Sequence, residues 1–95
     1  MTTDPEQASQ TMLESRQRID EIDRELVTLL NRRAEYARLV GAAKQVLNEP
    51  TYQPRREEEV LSHAVKTNRG PLEDAAVHRV FERILDETRR LQRVE

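Results

Sequence analysis

Apolar side chains recur at helical spacing along the first half of the chain. Between Gln10 and Leu47 there is no proline and a single glycine, Gly41. The apolar positions follow a heptad-like repeat in two adjacent lines. One line contains Met12, Ile19, Leu26, Val40 and Leu47, and the other contains Ile22, Leu29, Tyr36 and Ala43. This pattern predicts one long helix from Gln10 to about Leu47.

Two shorter helices are predicted in the second half of the chain. Residues 48–50 (NEP) interrupt the helical pattern, and Pro54 suits the first position of a new helix that ends near Lys66. Residues 67–71 (TNRGP) mark a stop, after which a third helix is predicted from about 72 to 92. Because the sequence has no alternating runs of β-branched residues, the predicted fold class is all-α, with one long and two shorter helices per chain.

The length of the first helix predicts a dimer. The 95 residues divide into a polar tail over residues 1–10, expected to be flexible, and one helical domain over residues 11–95. A helix of about 37 residues is roughly 55 Å long, whereas a compact domain of this size has a radius of gyration near ~12 Å. Since the apolar stripe runs along nearly the whole helix, we expect an intertwined homodimer in which two long helices pack together.

The charge pattern argues against a nucleic-acid partner, and the absence of long apolar runs argues against a membrane. Charged residues make up 36% of the chain, but the net charge is −2 and the two signs are interspersed, whereas a nucleic-acid surface needs a basic excess on one face. No apolar run approaches membrane-spanning length, and the N-terminus has no signal-peptide pattern. Cysteine is missing, which excludes disulfides and thiolate metal sites and suits the cytoplasm.

Polar residues interrupt the apolar face of each predicted helix. Arg33 falls on the first apolar line, where every other member is apolar. The other polar residues predicted to face the interior are Arg16 and Lys44 in the first helix, Arg56 and Glu57 in the second, and Thr88 and Gln92 in the third. Because a buried charge is costly unless it is compensated, these positions need a specific explanation.

An anionic ligand would explain them. The cations Arg33, Lys44 and Arg56 outnumber the acid Glu57, so these residues cannot neutralise one another. A small molecule with two carboxylates would restore the balance, since arginine binds carboxylates in bidentate fashion and lysine offers a point charge. Alternatively, the side chains reach the rim of the bundle or fix its register. The recurrence of the pattern in three helices favours a binding site.

Spacing along the long helix divides this site between two chains. By the helical rise, Arg16 and Arg33 lie about 25 Å apart, which is too far for both to reach one small ligand. Arg33 and Lys44 lie about 16 Å apart, so that their long side chains can converge. We therefore expect Arg16 to come from an antiparallel partner helix, which gives two equivalent sites per dimer.

Several segments, taken in order, resemble the all-helical chorismate mutase family. The resemblance covers roughly Leu13 to Gln92, and its motifs are RQRIDEIDRELVTLLNRR (16–33), GAAK (41–44), YQPRREEEVL (52–61), GPL (70–72) and VFERILDETRRLQ (80–92). It implies an interlocked dimer of three-helix chains. It also implies an isomerase that rearranges chorismate to prephenate in the shikimate pathway, toward phenylalanine and tyrosine, without a cofactor or a metal.

The resemblance assigns roles to the cations of the long helix. Arg16 matches the arginine that reaches the other chain's site, and Arg33 matches one that binds a substrate carboxylate. Lys44, after the glycine of the GAAK motif, matches a lysine that contacts a carboxylate and the ether oxygen of the substrate. All three would therefore serve to bind the dianion. The resemblance also implies a catalytic role for Arg33 and Lys44 here, and for Glu57 and Gln92 in the other two helices.

The second and third helices supply the remaining matched residues. Arg56 and Glu57 match an Arg-Glu pair in which the acid accepts a hydrogen bond from the ring hydroxyl, and Gln92 matches a donor to the ether oxygen. Thr88 stands where serine is common, which keeps the hydroxyl. Gln53 stands where many members have an acid, so it can still hydrogen-bond a hydroxyl but adds no charge.

Two other functions stay open at this point. An isochorismate pyruvate lyase on the same scaffold would use a similar set of cations, although Glu57 favours the mutase because that position tends to be apolar in the lyase branch. The other alternative is a non-catalytic helical module. It would be either a structural coiled coil or a regulatory domain that binds chorismate or prephenate and acts on a synthase partner.

Overall fold

The computed structural model describes residues 4–93, which form three α-helices and no strand. Helix α1 spans Pro5–Val46, α2 spans Pro54–Thr67 and α3 spans Asp74–Arg93. The predicted all-α class, with one long and two shorter helices, is confirmed. Despite its length, α1 is not apolar enough to cross a membrane, and the same holds for the other described helices.

Helix α1 begins at Pro5, before the predicted start at Gln10. Asp4 caps it, because its Oδ1 accepts a hydrogen bond from Gln7 N at 2.8 Å. Pro5 then takes the first helical position, where a missing N–H leaves no helical hydrogen bond unmade. The predicted helix start is therefore corrected from Gln10 to Pro5. Flexibility of the first ten residues stays a prediction, and residues 1–3 lie outside the described part of the chain.

The chain divides into an N-terminal unit that ends at Arg33 and a C-terminal unit that begins at Ala34. The described part of the N-terminal unit is almost entirely helix α1, whose side chains are exposed as far as Arg32. The exposed set includes large apolar residues of the predicted stripe, among them Met12, Ile19, Ile22, Leu26 and Leu29. An exposed apolar face of this size is typical of an interaction surface.

The C-terminal unit has a small core to which each helix contributes. Ala37 of α1, Ala64 of α2 and Leu85 of α3 are its buried apolar side chains. Helix α2 packs against α3, and Glu57 near the start of α2 is hydrogen-bonded to Arg89 near the end of α3. The two shorter helices therefore form an antiparallel hairpin.

Asparagine shapes both connections between helices. Asn48 has a φ of 58°, the left-handed conformation that commonly follows the last turn of a helix. After α2, the side-chain amide of Asn68 donates to Leu72 O and to Asp74 Oδ1, both at 2.8 Å. Because this amide holds Leu72 in the turn, α3 begins at Asp74 rather than near Leu72, where the sequence pattern predicts it.

We expect Leu85→Ala to lower the free energy of unfolding by about 2–4 kcal/mol, because it leaves a cavity in a core with few members. Leu85 is 6% exposed, whereas Val46, at the end of α1, is 86% exposed. Val46→Ala is therefore the control and should change stability by no more than about 0.5 kcal/mol. Urea denaturation at one protein concentration measures both, and equal effects would show that Leu85 is not a core residue.

Candidate active site

Lys44 lies in the last turn of α1 and contacts both the connection before α2 and the end of α3. Its Nζ donates to Thr51 O at 2.7 Å and to Gln92 Oε1 at 3.0 Å. The side chain is half-buried. Both acceptors are neutral, and within residues 4–93 none of the ion pairs involves Lys44. The ammonium charge is thus held by dipoles rather than by a carboxylate.

Gln92 is a buried polar residue of this unit, with 7% of its surface exposed. Its Oε1 accepts from Lys44, and its Nε2 donates to Ala37 O at 3.0 Å. The side chain therefore joins α3 to α1 at both ends of its amide. Gly41 makes this approach possible, because a Cβ at Gly41 would lie 3.0 Å from Gln92 Cγ.

Glu57 faces α3, as its position on the α2 pattern predicts. The Nη1 atom of Arg89 donates to both carboxylate oxygens, at 2.6 and 2.8 Å. The Nη2 atom of Arg89 donates to Asp86, one turn earlier in α3, and the guanidinium lies 5.5 Å from the centre of the Tyr52 ring. The pKa of Arg89 is raised above its ordinary value, chiefly by the hydrogen bond to Glu57.

Two other residues predicted to bind the substrate, Gln53 and Thr88, are half-buried in the C-terminal unit. Gln53, just before α2, donates from Nε2 to Glu49 Oε1 at 3.1 Å. Thr88 lies on α3, and its hydroxyl donates to Ile84 O at 2.9 Å.

Arg56, predicted to face inward, is exposed and pairs with Glu59 at 3.4 Å. That expectation is corrected, because a long arginine in the first turn of a helix reaches solvent and finds an acid three residues on.

Arg16 and Arg33 belong to the N-terminal unit, where Arg16 is exposed and Arg33 is half-buried. Their participation in one site with Lys44 stays a prediction. The geometry brings Lys44 and Gln92 into direct contact, and it places Glu57 against α3. Within residues 4–93, no group of three or more His, Cys, Asp or Glu side chains is arranged to hold a metal ion.

Sequence reasoning missed Arg89 and Tyr52. Arg89 follows Leu85 by four residues, which puts it on the inward face of α3 and could have singled it out. Tyr52 begins the 52–61 motif, but no role was predicted for it, because it lies in a connection with no regular pattern. The main-chain carbonyl of Thr51, the closest partner of Lys44, also has no signature in the sequence.

Comparison with known proteins identifies the family. Residues 15–93 match the family model "Chorismate mutase type II". The chain belongs to this family. Among solved structures, its fold is similar to a chorismate mutase from Thermus thermophilus, with a TM-score of 0.86 and 28% identity over 90% of this chain and 97% of that one.

The curated relatives described here are larger proteins than this chain. The chain is 37% identical over 82 residues to a bifunctional chorismate mutase/prephenate dehydratase from Neisseria gonorrhoeae, which covers 86% of this chain and 22% of that protein. It is 40% identical over 75 residues to the protein of the same name from Pseudomonas aeruginosa, covering 74% and 20%. The chain therefore spans about a fifth of the length of these relatives.

We expect Gly41→Ala to destabilise the protein, although alanine is the better helix former by about 1 kcal/mol. The added methyl group would press on Gln92, and overpacking of this kind costs about 1–3 kcal/mol. Ala42→Gly, at the exposed neighbouring position, measures the intrinsic helix preference and should cost about 1 kcal/mol. Stabilisation by Gly41→Ala in chemical denaturation would contradict the close contact.

Proposed function

We propose that this domain catalyses the rearrangement of chorismate to prephenate. The observation that carries the proposal is the half-buried ammonium of Lys44, held between Thr51 O and the Gln92 amide. Within residues 4–93 it has no carboxylate partner. Membership of the chorismate mutase type II family supports it. The names of the curated relatives support it further, because they join a chorismate mutase to a prephenate dehydratase.

The pairing of charged side chains around Lys44 supports an anionic substrate. Glu57 is engaged by Arg89, so its negative charge is not available to neutralise Lys44. Arg56 is exposed on α2, where its long side chain can turn toward a carboxylate. Chorismate carries two carboxylates, and in our proposal Arg33, Arg56 and Arg16 of the partner chain bind them together with Lys44.

The reaction is a unimolecular shift in which a C–O bond breaks as a C–C bond forms. The protein has to hold the flexible substrate in a compact shape and to stabilise the negative charge that develops on the ether oxygen. Lys44 has three N–H donors, of which two are used by Thr51 and Gln92. The third is left for the ether oxygen, where Gln92 adds its second N–H.

Three residues position the rest of the substrate in this proposal. Glu57 accepts a hydrogen bond from the ring hydroxyl, and Gln53 and Thr88 offer further hydrogen bonds. Glu57 also favours the mutase over an isochorismate pyruvate lyase, because the matching position tends to be apolar in the lyase branch. Measuring prephenate from chorismate and pyruvate from isochorismate, with the same protein, separates the two activities.

We further propose a homodimer with two shared sites. The exposed apolar stripe of α1, which includes Ile19, Ile22 and Leu26, supports this arrangement, since burying it against a second copy removes it from water. A partner enzyme of the aromatic pathway is a further proposal, supported by the bifunctional names of the relatives. The cytoplasmic location expected from the sequence stays a prediction.

We expect Lys44→Ala to lower kcat by at least about a hundredfold, because it removes the main donor to the ether oxygen. Lys66→Ala, which removes the same charge from an exposed position at the end of α2, is the matched control and should keep full activity. The assay follows the loss of chorismate absorbance, with circular dichroism as a check on folding. Full activity of a folded Lys44→Ala protein would rule out the proposed mechanism.

Subunit mixing tests the shared site. Arg16→Ala and Lys44→Ala proteins should each be nearly inactive alone. After subunit exchange, half of the dimers pair one chain of each kind, and each of these contains one intact site. Mixing should therefore restore about a quarter of the wild-type activity. If the mixture stays inactive although exchange is complete, Arg16 and Lys44 do not act in one site across the dimer.

A further inference from the structure

The ion pair between Glu57 and Arg89 links α2 to α3 beside the proposed substrate site. Arg89 follows Thr88 and precedes Gln92 by one turn. The side chains of Arg89 and Glu57 are 27% and 20% exposed, so the pair is neither fully buried nor a surface contact. Nothing in the proposed chemistry uses Arg89, although it contacts a residue to which that chemistry assigns a role.

Arg89 is itself held in place from two sides. Its Nη2 donates to Asp86 in the preceding turn of α3, and its guanidinium stands 5.5 Å from the centre of the Tyr52 ring, a distance typical of a cation–π contact. Because both terminal nitrogens are engaged by carboxylates, Arg89 is poorly placed to bind a substrate carboxylate directly. It is a fixed cation that can orient another side chain.

The contact with Arg89 restricts the orientation of the Glu57 carboxylate but leaves some of its hydrogen-bond acceptor sites unused. One nitrogen, Nη1, donates to both Oε1 and Oε2, so the carboxylate cannot turn away without losing contacts to Arg89. A half-buried carboxylate also costs free energy unless it is paired. Each carboxylate oxygen has two acceptor sites, so each can accept one further hydrogen bond besides the one from Arg89.

We propose that Arg89 is a positioning residue that holds the Glu57 carboxylate as an oriented acceptor for the ring hydroxyl of the substrate. This inference rests on the proposed mutase function and adds to it a residue that acts through Glu57. A purely structural ion pair would stabilise the helical hairpin and leave the kinetics of the folded enzyme unchanged. The two roles therefore differ in their dependence on the substrate hydroxyl.

The test compares two substrates, chorismate and a dianionic analogue that lacks the ring hydroxyl. We expect Arg89→Met to lower kcat/KM for chorismate by about tenfold, and for the analogue by less than about twofold, since only chorismate uses the oriented carboxylate. Arg89→Lys, which keeps a charge but loses the planar guanidinium, should lie between wild type and Arg89→Met on chorismate. It also serves as the test variant if Arg89→Met does not fold.

Two controls isolate the contact. Arg90→Met removes an exposed arginine from the next position of α3 and should leave both kcat/KM values unchanged. In a Glu57→Gln background, Arg89→Met should have little further effect on chorismate, because the carboxylate that it orients is already gone. All assays are run well below the melting temperature of each variant, so that lost stability does not mimic lost catalysis.

The outcomes separate this inference from the function on which it rests. If wild-type protein rearranges chorismate but Arg89→Met lowers kcat/KM equally for both substrates, or for neither, the positioning role is wrong and the mutase function stands. If wild-type protein rearranges neither substrate, the proposed function and the role of Arg89 both fail. The positioning role is supported if Arg89→Met lowers kcat/KM for chorismate but not for the analogue, and if this loss is absent in the Glu57→Gln background.

Discussion

The amide of Gln92 is the contact on which the C-terminal unit depends. It is buried, and a buried amide is tolerated only when its oxygen and nitrogen both find partners. Here the oxygen accepts from Lys44 and the nitrogen donates to Ala37 O. Because Lys44 also donates to Thr51 O, one hydrogen-bond network joins α3, α1 and the connection before α2. The same groups that hold the helices together are those that we propose to contact the substrate.

Because the apolar core is small, this hydrogen-bond network matters more for the stability of the C-terminal unit. The buried apolar residues of the described chain are Ala37, Ala64 and Leu85, and two of them are alanines, which bury little surface. Much of the large apolar surface lies instead on the exposed face of α1. In the proposed homodimer, burial of that face would add hydrophobic stabilisation, so folding and association would be linked.

The sequence predicted the helices well because their signals are local. Pro54 and the 67–71 segment mark where α2 starts and ends, and heptad spacing marks α1. The contact between Lys44 and Gln92, far apart in sequence, was anticipated only as two polar residues on inward faces and through family resemblance. The early start of α1 was missed because the cap at Asp4 outweighs the polar composition that follows it.

Other parts of the site could not be predicted, for physical reasons that differ from residue to residue. The direction of Arg56 is set by a flexible side chain and a nearby acid, Glu59, and helical periodicity does not fix such a choice. Arg89 lies on the inward face of α3, but a pattern of apolar and polar positions does not say which acid it meets. Its partner Glu57 depends on how the two helices of the hairpin are aligned.

The bond from Lys44 to Thr51 ends on a peptide oxygen rather than on a side chain. Every amino acid supplies that oxygen, so evolution can exchange the residue at position 51 without losing the acceptor. The number of residues between α1 and α2 is constrained, because an insertion or deletion would move the oxygen away from the ammonium. Divergence in this connection should therefore proceed by replacement at constant length.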